Sequence, residues 1–177
     1  MIRFLDFFLS ILFLVILSPL FILILIFNFF LNKKIFFISE RVGLNGKKFN
    51  LIKFITISEN EFLKLGKFLR RSSLDELPQL INIIKGEMSL VGPRPYPIEN
   101  FEKIDLSTYS LRHSIKPGLT GLAQIGFMGN KRTIEEKILI DLKMVEKINI
   151  FLYLKILLLT PQVLIKRYFY NRSGKTL

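Results

Sequence analysis

The sequence predicts a mostly helical α+β protein with one small β-hairpin, held to a membrane by a bent N-terminal helix and resting on it through C-terminal amphipathic helices. Three observations lead there. Phe4 to Leu31 is almost continuously apolar, long enough to cover a hydrocarbon core of about 30 Å. Asn45-Gly46, between two short β-prone runs, is a hairpin signal. Several later segments repeat their apolar residues at helical spacing and end in glycine, proline or basic residues. The chain divides accordingly into a membrane helix (1–34), a small cytosolic domain (35–147) and interfacial helices with a basic tail (148–177).

Composition narrows the partners. The 177 residues are 50% hydrophobic and carry a net charge of +12, from 26 Lys and Arg against 14 Asp and Glu, so the ligands should be anionic. Acidic lipid headgroups, phosphorylated substrates and nucleic acid all qualify on charge. The apolar anchor, without an aromatic RNA-binding signature, argues against nucleic acid. There is no cysteine and His113 is the only histidine, which excludes disulfides, a thiolate nucleophile and Cys- or His-rich metal centres.

In the anchor, Pro19 lacks an amide donor and its ring crowds the Val15 carbonyl. The helix should therefore bend near Ser18-Pro19, with the serine hydroxyl satisfying a freed backbone group. Both a kinked span and a re-entrant helix follow from such a bend. Arg3 precedes the run and Lys33 and Lys34 follow it; positive residues mark the cytoplasmic side, so both flanks favour the same face. Asp6 would cost about 3 kcal/mol at the bilayer centre and little near the interface, which suits the first turns of the helix.

Strands are expected near Ile35 to Ser39 and Lys48 to Phe54, placing Lys53 at the end of the second. A solvated or lipid-facing lysine is the plain reading of that residue alone. Glu61 to Arg71 has helical spacing, with Phe62, Leu65, Phe68 and Leu69 on one side. In Ser73-Leu74-Asp75-Glu76 a capping box is expected, Ser73 at the cap and Glu76 three residues later. The helix dipole and the neighbouring Arg70 and Arg71 should lower the Asp75 pKa, as suits a nucleophile. Two adjacent carboxylates also invite Mg²⁺, which takes one or two carboxylates together with phosphate oxygens. Cap and reaction centre are compatible.

The helix Leu77 to Ile84 should end at Lys85-Gly86. In Gly92-Pro93-Arg94-Pro95-Tyr96-Pro97 the prolines display Arg94 on a stiff loop, suited to bidentate phosphate contact. Six motifs occur in one order: Ser18-Pro19 in an apolar helix; Lys53-Phe54-Ile55-Thr56; Arg70 followed by Asp75-Glu76-Leu77-Pro78-Gln79-Leu80; Gly86-Glu87-Met88-Ser89; Gly92-Pro93-Arg94-Pro95; and Lys116-Pro117-Gly118-Leu119-Thr120-Gly121-Leu122-Ala123-Gln124. Together they closely resemble the small monotopic phosphoglycosyl transferases of bacterial glycan assembly, over about residues 1 to 165.

The resemblance implies an inner-membrane enzyme, active on the cytoplasmic face, that moves a sugar 1-phosphate from a UDP-sugar to undecaprenyl phosphate. By similarity Asp75 is the nucleophile and forms a phosphosugar-aspartyl intermediate with release of UMP. Glu76, with Asp75, would bind Mg²⁺, and Lys53, Arg70 and Arg94, the last framed by Pro93 and Pro95, would hold the phosphates and uridine. The family's Ser-Pro forms a re-entrant helix. Thr120 and Asp141 are supporting candidates, Asp141 as an orienter of a basic residue. The phosphate groups ask mainly for alignment and charge cancellation, which these cations supply.

Some positions depart from the family pattern. Ile55 and Ile57 replace a basic residue and a methionine, Ile125-Gly126-Phe127-Met128 replaces an expected asparagine-glycine, and Lys143-Met144 stand where a tyrosine is expected. They bear on sugar recognition and spare the residues assigned to chemistry. The alternative is a catalytically degenerate membrane scaffold. Thr133 to Lys147 is expected as a charged helix with Ile134, Ile138, Asp141 and Val145 near one face. Phe151 to Tyr170, broken at Thr160-Pro161, should form an interfacial helix pair, with Lys166, Arg167, Arg172 and Lys175 near anionic headgroups of the inner membrane.

Overall fold

The computed structural model describes residues 1–32, 34–58, 61–63, 65–101, 104–126 and 132–172. Lys33, Phe127, Met128 and Lys175, used in the sequence reading, lie outside the described residues, as do the side chains of Phe62 and Arg172.

Helices α1 (Ile2–Ile16) and α2 (Ser18–Asn32) are bent by 65° at Leu17. The Ser18 hydroxyl donates to the Val15 carbonyl at 2.8 Å, the group that Pro19 cannot satisfy. Neither helix is long enough by itself to cross a membrane. The outward faces are apolar: Phe4, Phe8, Val15, Ile16, Leu23, Phe29 and Phe30 are exposed.

The inner face of α1 is docked on the rest of the chain. Arg3 donates to the carbonyls of Ile83 and Ile84, capping the C-terminal end of a helix with positive charge. Asp6 is 2% exposed. Its Oδ1 accepts from the Ser89 hydroxyl at 2.9 Å, the Leu90 amide at 2.8 Å and the Tyr153 hydroxyl at 2.7 Å. The acid expected at the lipid interface is instead a buried clasp joining three segments of the protein, which satisfies its charge with hydrogen bonds.

Strands β1 (Phe36–Val42) and β2 (Lys48–Phe54) form the expected antiparallel ribbon. Asn45 (φ 53°) and Gly46 (φ 74°) both take left-handed backbone at its turn, as Asn-Gly allows. The next segment departs from expectation: Glu61–Phe62 is strand β4, paired with β3 (Ile57–Ser58), and α3 is confined to Gly66–Ser72. Gly66 makes the entry to α3 tight, since a Cβ there would sit 2.0 Å from the Thr56 carbonyl oxygen.

A 3₁₀ turn over Leu74–Glu76 leads into α4 (Gln79–Lys85), which ends at left-handed Gly86 as expected. Strand β5 (Ser89–Val91) pairs in parallel with β6 (Gly118–Thr120). Between them lie a 3₁₀ turn at Ile98–Phe101 and α5 (Leu106–Arg112), capped by Asp105, which accepts from the Thr108 amide at 2.9 Å. Short α6 (Leu122–Ile125) follows β6, then α7 (Ile134–Lys147), which opens on a true capping box of Thr133 and Glu136.

Helix α8 runs unbroken from Ile150 to Arg172 through Pro161, correcting the expected break. The Thr160 hydroxyl donates to the Ile156 carbonyl at 2.8 Å beside the proline, and the packing of α8 against α3, α6 and β5 holds the helix through the missing proline donor. The main core joins α4, β5, α7 and α8 through Ile83, Met88, Leu90, Met144, Tyr153 and Ile156, with α1 packed against it.

Candidate active site

Three backbone segments converge on one cleft. Register pairs Phe37 with Lys53 at the end of the ribbon; the 3₁₀ turn presents Glu76, with Asp75 buried beside it and outside the lining; and the loop after β5 presents Arg94. Glu76 Oε1 accepts from Lys53 Nζ at 2.9 Å and from Arg94 at 3.2 Å. The cleft, about 100 Å³, is lined by these three residues together with Arg41, Gln79 and Tyr96. Pro95 lines it too, whereas Pro93 is buried behind the loop and its carbonyl accepts from the Gly118 amide at 2.8 Å.

The expected Ser73–Glu76 capping box does not form. Ser73 has φ 57° and closes α3, its amide donating to the Arg70 carbonyl, and its side chain makes no cap bond. The Glu76 carboxylate is drawn away to Lys53 and Arg94 because charge-assisted bonds from two cations outweigh one neutral backbone donor.

The two acids are pushed apart in pKa. Burial alone would raise Glu76, but Arg94 and Lys53, with the Lys53 hydrogen bond, bring it down to about 2. Asp75, 8% exposed, moves the other way, up to about 6, through burial and then repulsion by Glu76, against the weaker pull of Lys53 and Arg70. The expectation of a lowered Asp75 pKa is therefore overturned: burial and the adjacent Glu76 charge outweigh the pull of Lys53 and Arg70. Asp75 is still mostly ionised at neutral pH, but its charge is poorly stabilised. Arg70 is exposed and outside the cleft, acting on Asp75 through its charge.

Arg94 has a buried support that the sequence reading left unassigned. Arg112, 1% exposed, donates to the Arg94 carbonyl at 2.6 Å and to Asp141 Oδ2 at 2.7 Å. Its guanidinium also stacks near the Tyr96 and Phe101 rings, at 5.1 and 5.2 Å. The basic residue that Asp141 holds is Arg112, which lies behind the Arg94 loop and outside the cleft lining. The available signal was an acid at Asp141 on the apolar face of α7, between buried Ile138 and Val145, where a charge requires a partner.

Thr120 lies behind the cleft, bonded to Thr160 at 2.9 Å, and fixes β6 to α8. Close packing here depends on glycine: a Cβ on Gly118 would lie 2.0 Å from the Gly92 amide nitrogen. Among the departures, Met144 is fully buried and its sulfur accepts from the Leu122 amide at 3.3 Å, so that substitution serves packing.

The model of the family described as bacterial sugar transferase matches residues 1–167. The chain belongs to that family. Relatives of the chain include the UDP-glucose:undecaprenyl-phosphate glucose-1-phosphate transferase of Xanthomonas campestris pv. campestris, 38% identical over 71% of the chain and 30% of the relative. The protein of the same description from Klebsiella pneumoniae is 41% identical over 71% of the chain and 31% of the relative. An uncharacterized sugar transferase of Bacillus subtilis, EpsL, is 39% identical over 73% of the chain and 69% of the relative. The chain thus spans less than a third of the first two relatives.

Proposed function

We propose that this sugar transferase moves a sugar 1-phosphate from a UDP-sugar to undecaprenyl phosphate through a covalent intermediate on Asp75, releasing UMP. The observation that carries the reading is a cleft in which Lys53 and Arg94 both bond Glu76, with the Asp75 carboxyl next to Glu76 in the same 3₁₀ turn. In the first step an Asp75 oxygen bonds to the β-phosphorus while the bridging bond to the α-phosphate breaks, its electron pair leaving with UMP. In the second, a phosphate oxygen of undecaprenyl phosphate attacks the same phosphorus and the Asp75 carboxylate is restored. Covalent catalysis suits a soluble donor and a lipid acceptor that visit in turn.

Burial and Glu76 hold the Asp75 charge at raised energy. Bond formation moves that charge onto phosphoryl oxygens, which face Lys53 and Arg94, so the same cations favour the transition state over the resting site. Arg112 and Asp141 keep the Arg94 loop in place. Asp75 and Glu76 are the two adjacent carboxylates that would hold Mg²⁺, an ion that takes one or two carboxylates and completes its shell with water and substrate phosphate. When bound there it would supply charge neutralisation at the diphosphate.

We also infer that α1 and α2 enter the cytoplasmic leaflet of the inner membrane and return, with the cleft on the cytoplasmic face. Supporting this, Arg3 and Asp6 at one end of the pair and Phe36 at the other are all tied to the same body, and the bend is 65°. Helix α8, with exposed Phe151, Leu158, Ile165 and Phe169, would lie along the same surface. Incubation of the detergent-solubilised protein with UDP-sugars, undecaprenyl phosphate and Mg²⁺ should release UMP, and Asp75→Asn should abolish it. No release with any UDP-sugar would favour the scaffold reading.

A further inference from the structure

The cleft holds more positive charge than its own carboxylate matches. Arg41, Lys53 and Arg94 line it, and Glu76 is the acid on the same wall. Lys53 and Arg94 are both satisfied by Glu76 Oε1. Arg41 is not: its Nε is buried without a hydrogen-bond partner, and no carboxylate pairs with it, among the described residues. Burial weighs most against its charge, Arg94 repels it, and Glu99 attracts it more weakly.

Strand register fixes where Arg41 sits. The pairs Phe37–Lys53, Ser39–Leu51 and Arg41–Phe49 alternate by two, so their side chains share one face of the ribbon. Lys53 and Arg41 therefore reach into the cleft from positions four residues apart, about 13 Å along the strand, with Leu51 between them in the lining. Arg94, from the loop after β5, bonds Glu76 and repels Arg41. The cleft thus carries Glu76 bonded by Lys53 and Arg94, with Arg41 four register positions along the ribbon from Lys53 and repelled by Arg94.

We propose that Arg41 clamps the nucleotide-side phosphate of the donor, the group that departs as UMP. This rests on the reading above. With the sugar-bearing phosphorus at Asp75 between Lys53 and Arg94, the next phosphate along the cleft lies between Arg94 and Arg41. As the bridging P–O bond breaks, the electron pair arrives on that phosphate, and a planar guanidinium can take two of its oxygens. An anion there also relieves the repulsion between the two arginines. A surface pair with Glu99 would be the simpler role for Arg41, and it would leave nucleotide binding untouched.

The test uses the full chain in detergent, with UMP as probe, and the variants Arg41→Gln, Arg41→Lys and Glu99→Gln. UMP affinity is measured by calorimetry; formation of the covalent adduct from a UDP-sugar, and its discharge by undecaprenyl phosphate, are timed separately. Arg41→Gln should weaken UMP binding and slow adduct formation by about tenfold to a hundredfold, the range of one charge-assisted contact, while discharge of adduct already formed stays within about twofold. Arg41→Lys should recover part of the affinity, and Glu99→Gln should match wild type. If Arg41→Gln melts well below wild type, Arg41→Met, which keeps the apolar stem, replaces it. Unchanged UMP affinity, or discharge slowed as much as formation, overturns the assignment. Wild-type protein that neither binds UMP nor forms an adduct overturns the underlying reading instead.

Discussion

Replacing Asp75 by asparagine should make the resting protein more stable above neutral pH. The folded protein holds the Asp75 proton up to about 6, against 3.8 for an unburied aspartate, so between those values the native state binds more protons than the unfolded chain. Stability then falls as pH rises through the window. A shift of about 2 units corresponds to about 3 kcal/mol at 1.36 kcal/mol per unit, a penalty fully present at pH 8 and absent below about pH 4. Asparagine keeps the shape and removes the charge. For a chain of this size the gain amounts to about 6–12 °C in melting temperature, read by thermal unfolding in detergent without metal or nucleotide. The difference from wild type should shrink steadily as the pH is lowered towards 4, and added Mg²⁺ should raise the melting temperature of wild type more than that of the variant. A variant no more stable than wild type at pH 8, or a gain independent of pH, would refute the claim that Asp75 is held at raised energy by burial and Glu76.

Other substitutions probe the supports of the site. Arg112→Met leaves Asp141 as an unpaired buried charge and should cost about 3–5 kcal/mol, seen as a lower denaturation midpoint; a variant that melts with wild type would remove the buried pair from the account. Asp6→Ala strips one acceptor from the Ser89, Leu90 and Tyr153 donors, at about 1–3 kcal/mol per unsatisfied group, and protease sensitivity of the α1 junction should rise. Gly118→Ala forces a Cβ against the Gly92 backbone and should prevent stable folding, checked by yield and melting temperature. Because the chain has no cysteine, single cysteines at positions 1 and 34 report topology cleanly: both should label from the cytoplasmic side, and labelling from opposite sides would contradict the re-entrant helix.

What could be read in the sequence was chiefly local chemistry. The bend at Ser18-Pro19, down to the Ser18 bond with Val15, follows from proline geometry and from a hydroxyl placed next to it. The hairpin follows from Asn45-Gly46, and the stiff display of Arg94 from its flanking prolines. Contacts between distant segments were less accessible. The Ser73–Glu76 pattern matches a capping box locally, yet Lys53, from a strand that precedes it by some twenty residues, captures the glutamate. The Asp75 pKa went the wrong way for a related reason: nearby arginines can be counted in sequence, whereas burial, the largest cause, cannot. Asp6 read as an interfacial acid because its partners come from Ser89, Leu90 and Tyr153, far along the chain. Pro161 read as a break, although the packing of α8 against α6, β5 and β6 carries the helix through it.

The site geometry also explains why the two acids should not be interchangeable. Glu76 is paired, low in pKa and committed to organising the cations; Asp75 is the acid with charge to donate. The most direct measurement is intact-protein mass spectrometry after mixing the protein with a UDP-sugar and Mg²⁺ in the absence of any lipid acceptor. The expected result is an added mass equal to one sugar phosphate, mapped to the Asp75 peptide, lost in Asp75→Asn and discharged by undecaprenyl phosphate. An adduct on another residue, or transfer to the lipid by a protein lacking the Asp75 carboxylate, would contradict it.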